Sequence, residues 1–100
     1  MLSIRGVHIS PSAIEQVLRA IPELTEAYEL TITKRNGQDH VTVTAEPRPD
    51  IPIAQHEAVA GKVSEEVSSM LEVKVEVDLR PAGSMSREFK VRRIRDLRNQ

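Results

Sequence analysis

The sequence has no cysteine and no tryptophan, and it holds one tyrosine and one phenylalanine in 100 residues. Without thiols there is no disulfide framework, no thiolate nucleophile and no cysteine-ligated zinc site. With Tyr28 and Phe89 as the only aromatics, the core must be aliphatic. The same scarcity leaves little for stacking bases, as single-strand RNA binders do. No apolar run approaches the roughly 20 residues that a membrane span needs, and no signal peptide opens the chain. Neither charge dominates: 14 basic residues face 15 acidic ones, for a formal net charge of -1. That balance argues against a general nucleic-acid binder, which carries a basic footprint. A soluble cytoplasmic protein that binds neither membrane nor nucleic acid is the expectation.

What is present fits one domain. Its length suits a single core, and 39% of the residues are hydrophobic. The charge is unevenly spread. Residues 87–98 set Arg87, Lys90, Arg92, Arg93, Arg95 and Arg98 against Glu88 and Asp96, a local charge of +4. The remainder has eight basic and thirteen acidic residues, or -5. An acidic body with a basic end points to an anionic partner at that end.

Periodicity supplies the elements. Residues 2–9, interrupted by Gly6, read as a strand or tight hairpin. Ser10-Pro11 reads as a helix start, with a capping hydroxyl followed by proline at the first helical position. Ser12 and Glu15 also have the spacing of a capping box. Ile14, Val17, Leu18 and Ile21 continue at helical spacing until Pro22. Tyr28, Leu30 and Ile32 alternate with polar residues, as do Val41, Val43 and Ala45. Asn36-Gly37 between them suits the turn of a hairpin. Pro47, Pro49 and Pro52 make an extended connector. Val59, Val63, Val67, Met70 and Leu71 form a second helical stripe, which Gly61 weakens unless it permits close packing. Val73, Val75, Val77 and Leu79 alternate strictly, as a strand buried on one face does. Val91, Ile94 and Leu97, three apart, predict a short closing helix. The order is (β)-α-β-β-α-β, then a loop and the short helix. It predicts an α+β fold with a mainly antiparallel sheet and two helices on one face.

The richest chemistry lies at the two ends. Gly83 and Ser84 open a loop that leads to Lys90 among arginines. A lysine on a loop is a deliverable cation for phosphate or carboxylate oxygens, although charge runs more commonly just face water. Near the start, Arg5-Gly6-Val7-His8 combines a glycine bend, a cation and a histidine before the helix cap. His8, His40 and His56 have no metal-ligand spacing. Glu65-Glu66 reads as a solvated helix face. No P-loop and no nucleophile elbow is present.

Taken together, the ends resemble the C-terminal domain of the AMP-forming acyl-CoA synthetases, in the phenylacetate–CoA ligase branch. Ile4-Arg5-Gly6-Val7-His8-Ile9-Ser10-Pro11-Ser12-Ala13-Ile14-Glu15 is similar to that branch's post-hinge stretch, and Ile21-Pro22-Glu23-Leu24 continues it. The run from Ala82 to Arg98 is similar to its closing stretch. That alignment puts Lys90 on the family's catalytic lysine, with Phe89 in place of the usual glycine, and His8 stands where the family often has asparagine.

The resemblance implies a two-step reaction. A carboxylic acid attacks the α-phosphate of Mg-ATP to give an acyl-adenylate and pyrophosphate. Coenzyme A then attacks the acyl carbon and releases AMP. In the family a large N-terminal adenylation domain binds ATP, Mg2+ and an aryl or arylacetic acid. The small domain swings, delivering the lysine in one pose and its post-hinge loop in the other. Here that assigns Lys90 to adenylation and Arg5, Gly6, Val7 and His8 to the coenzyme A step. Arg5, Arg87 and the tail arginines are the candidates for its phosphates. Met1 to Ile4 match residues just past the family's hinge. The expectation is therefore a lid domain over residues 1–100 whose partner domain lies upstream, inactive and without cofactor in isolation. Association of two copies is left open.

Two other readings compete. A stand-alone ferredoxin-like or amino-acid-sensing module would share the element order, and stabilisation by amino acids would mark it. An RNA-binding arm at the basic end would show a salt-dependent gel shift.

Overall fold

The computed structural model describes residues 2–81 and 92–98. Two short strands, β1 (Leu2–Ile4) and β2 (Val7–Ile9), pair antiparallel as a hairpin. Helix α1 (Pro11–Arg19) follows, then β3 (Leu24–Arg35) and β4 (Gln38–Pro47). A 3₁₀ turn over Ile53–Gln55 leads into α2 (His56–Leu71), which is followed by β5 (Val75–Leu79) and β6 (Arg92–Asp96). The four longer strands form one sheet in the order β5-β4-β3-β6.

The class is α+β, as the pattern predicts, and the central ladder β3–β4 is the long antiparallel one. The flanking ladders, β4–β5 and β3–β6, are parallel. In the first of them α2 carries the chain across before β5, which then lies in register with Val41–Ala45.

Alternation decides what faces the core. Leu30 and Ile32 on β3 and Val41, Val43 and Ala45 on β4 are fully buried. Each Val or Leu buried in this way contributes about 1.5–3 kcal/mol. Val59, Val63, Val67 and Leu71 of α2 and Ile14 and Leu18 of α1 join the same cluster. Ile4 and Ile9 fasten the β1–β2 hairpin to it. Thr31, Thr33, Thr42 and Thr44 take the alternate positions on the central strands and are half-buried. Ala27 and Tyr28 are both buried because the register slips between Leu24 and Tyr28. A bulge there turns two consecutive residues inward. Glu46 is the buried charged residue of β4, and it has an interaction partner.

Four local expectations change. Residues 92–96 form strand β6, and the predicted closing helix is absent from them. Three apolar residues in seven cannot sustain an isolated helix, whereas pairing with Tyr28–Ile32 satisfies the backbone and packs Ile94 against the core. Ser10 does occupy the N-cap of α1, but its hydroxyl meets the Ser12 hydroxyl at 2.7 Å and caps no amide. No capping box forms either, because Ser12 lies inside the helix and Glu15 pairs with Arg19 at 3.6 Å. Gly61 gives no close packing: it is exposed, and a β-carbon there would meet nothing.

Candidate functional site

The Arg5-Gly6 dipeptide is the two-residue loop between Ile4 and Val7. Both residues have positive φ, 50° and 82°, the signature of a type I′ turn. Gly6 adopts that conformation without strain; Arg5 does not, since a long side chain in the left-handed region costs on the order of 1 kcal/mol. A β-carbon built at Gly6 meets nothing, so one face of this turn is open. Arg5, Gly6 and His8 are exposed, while Val7 turns inward against the core.

A second type I′ turn lies beside the first. Asn36 and Gly37, with φ of 52° and 78°, connect β3 to β4. The two tips are stitched together. Asp39 Oδ2 accepts the Arg5 backbone N–H at 2.8 Å, and Gln38 Oε1 accepts from the Arg5 guanidinium at 3.2 Å. Between them lies an open cleft of about 230 Å³, lined by Arg5, Lys34, Gly37, Gln38 and Asp39. Its donors are a guanidinium, an ammonium and an amide. Asp39 is its one acid, already engaged by Arg5. That donor set fits a phosphate group.

The far end of the chain reaches the same corner. Arg98 donates to the Ser3 carbonyl at 2.6 Å and to Asp39 Oδ2 at 3.1 Å. Its Nε and second terminal nitrogen donate to Asp96 at 2.9 and 2.7 Å. The Arg98 side-chain hydrogen bonds, with its backbone N–H adding a further one, hold the Asp96 carboxyl down at about 2. Reciprocally, the Asp96 contact raises the Arg98 guanidinium above its ordinary value. Arg95 pairs with Glu29 at 3.2 Å. Two of the tail arginines thus spend their charge within the domain.

The remaining candidates fall elsewhere. Lys90 and Arg87 lie outside the described residues. Glu65 and Glu66 are exposed on α2. Among the described residues no three His, Asp or Glu side chains gather as metal ligands, and no helix is long and apolar enough to cross a membrane. His40 Nε2 sits 3.3 Å from a Glu76 carboxylate oxygen without the geometry of a hydrogen bond. A second, apolar cavity of about 390 Å³ is lined by residues that include Ile51, Ile53, His56, Leu79 and Pro81. The sequence reading missed Asp39, Gln38 and Lys34. They sit around an ordinary hairpin turn, and only the fold brings them to Arg5.

Residues 6–98 match the family model described as AMP-binding enzyme C-terminal domain. The chain belongs to that family. It is 31% identical to the phenylacetate-coenzyme A ligase of Escherichia coli across 99% of its own length and 24% of that protein's. With the Pseudomonas putida phenylacetate-coenzyme A ligase the identity is 30%, over 87% of this chain and 20% of the relative. The chain therefore spans about a quarter or less of these relatives. Among solved structures, a domain of phenylacetate-coenzyme A ligase from Bacteroides vulgatus superposes with a TM-score of 0.80 at 25% identity, covering 98% of this chain and 92% of that one. The 2-hydroxyisobutyryl-CoA ligase in complex with 2-HIB-AMP and CoA, in its thioesterification state, gives a TM-score of 0.86 at 29% identity, over 98% of this chain and 21% of that one. MamM CTD shares the fold alone, at 11% identity and a TM-score of 0.65.

Proposed function

We propose that this chain is the mobile C-terminal domain of an ATP-dependent phenylacetate or aryl acid–CoA ligase. Lys90 serves the adenylation step, and the Arg5–His8 turn serves thioester formation. The observation that carries the reading is the family match over residues 6–98, with a strained and open turn at the position assigned to the coenzyme. Similarity to a ligase solved with an acyl-adenylate and CoA supports the same reading.

The chemistry suits these residues. Adenylation gathers negative charge between carboxylate and phosphate, where a positioned ammonium stabilises the transition state most. The same ammonium has no task when a thiol attacks the acyl carbon. Carrying it on a domain that moves away between steps separates the two demands. At the other site, the bare face of Gly6 lets a ligand approach the backbone, and Arg5 offers a fork of donors to a phosphate. ATP, Mg2+ and the acid belong to the larger adenylation domain, and the acid itself is an aryl or arylacetic one by kinship.

Half-reactions test this in a ligase that carries the chain. Lys90→Ala should slow adenylation by about 10²–10³, the loss typical of one positioned donor. Thioester formation from supplied acyl-adenylate should be retained. Equal loss in both would refute the division of labour.

A further inference from the structure

Among the described residues the β1–β2 hairpin pairs only with itself, outside the four-stranded sheet, so no ladder ties its tip to that sheet. Ile4, beside the turn, and Ile9, at the open end, anchor the hairpin in the core, and Val7 packs against the same cluster. Beside the Gln38 bond to the Arg5 guanidinium, one carboxylate takes up both the turn amide and the tail guanidinium. Asp39 binds the Arg5 amide at 2.8 Å and Arg98 at 3.1 Å, and the same Arg98 nitrogen reaches Ser3 at 2.6 Å. Asp96 grips the other side of that guanidinium with both oxygens.

The side chains of Asp39 and Arg98 are 12% and 18% exposed. Water competes weakly at such a site, and bonds between charged groups are then stronger than the usual surface pair. The residue they restrain is Arg5, whose φ of 50° is costly for anything but Gly, Asn or Asp. Strain of this kind persists only where surrounding contacts impose it, and the Asp39 bond to the Arg5 N–H is such a contact. It keeps a cation, rather than an easier turn residue, at the rim of the cleft.

Resting on the reading of Arg5–His8 as the coenzyme loop, we infer that Asp39 and Arg98 are positioning residues for thioester formation. They hold the Arg5-Gly6 turn in the shape it presents to coenzyme A. Among the described residues their side chains bond to Arg5, Ser3, Asp96 and each other, and Arg5 is assigned to the coenzyme step, so the two half-reactions should separate when the clamp is cut.

The test uses Asp39→Asn, which keeps the shape and removes the charge, in a ligase carrying this chain. Amide exchange at Arg5 should quicken at least about tenfold, the loss expected for a hydrogen bond to a charged group. Thioester formation from supplied acyl-adenylate should fall by about tenfold at subsaturating coenzyme A, with adenylation kept within about twofold. Arg98→Lys retains a charge but lacks the fork that spans Ser3, Asp39 and Asp96. It should reproduce the same split. If Asp39→Asn fails to fold, Asp39→Glu, which keeps the charge but displaces it by a methylene, should fold and show the split. Unchanged Arg5 exchange, undiminished thioester formation, or equal loss in both half-reactions would overturn the clamp. A wild-type ligase that performs neither half-reaction would instead sink the ligase reading itself.

Discussion

Single residues in this chain carry more than their spacing announces. Gly61 sits on the exposed side of α2, where a methyl group in place of its hydrogen would touch nothing. Its only effect there is the backbone entropy that glycine surrenders in a helix. Gly61→Ala is expected to raise stability by about 1 kcal/mol, read as a higher urea midpoint at unchanged slope. Asp39 is the contrasting case. Its partners lie 34 and 59 positions away, and no local pattern in the sequence connects an aspartate after a hairpin turn with Arg98. Arg5-Gly6 was legible as a bend. That its arginine would hold a left-handed conformation was not, because the restraint comes from residues remote in sequence.

At the scale of elements, strict alternation was the dependable signal. Tyr28, Leu30 and Ile32, then Val41, Val43 and Ala45, then Val73 and Val75, all turn inward. The four α2 positions at helical spacing do likewise. Where the apolar residues were sparse, spacing misled. Val91, Ile94 and Leu97 fit a helix by interval, yet residues 92–96 pair with β3. The decisive contribution was an available sheet edge, which is a property of the fold and not of seven residues. Ile94 should therefore behave as a core-facing strand residue and Arg95 as a surface one. Ile94→Asn should cost about 2 kcal/mol by burying an amide, whereas Arg95→Ala, which removes a half-exposed pair with Glu29, should cost less than about 1 kcal/mol. Thermal melts of the two variants check the order, and equal losses would count against the strand.

For the molecule as a whole, acid stability follows from the corner where the chain ends meet. The Asp96 carboxyl lies below its usual value of 3.8, at about 2, chiefly through the Arg98 hydrogen bond. A depressed folded-state value means that the contribution is complete above about pH 4 and fades as pH falls toward 2. With 35% of the Asp96 side chain exposed, solvent screening limits it to about 1 kcal/mol or less. Urea denaturation between pH 5 and pH 2.5 should show a decline in stability that is shallower in Asp96→Asn. An identical slope in both proteins would remove Asp96 from the account.

The grip of Arg98 on the Ser3 carbonyl has a mechanical corollary. A tether joined ahead of Leu2 would tug on a stapled seam, with the opening hairpin, the start of β4 and the close of β6 riveted at one vertex. Force applied there would be shared at once between β4 and β6 through the bonds of Arg98 to Asp39 and Asp96.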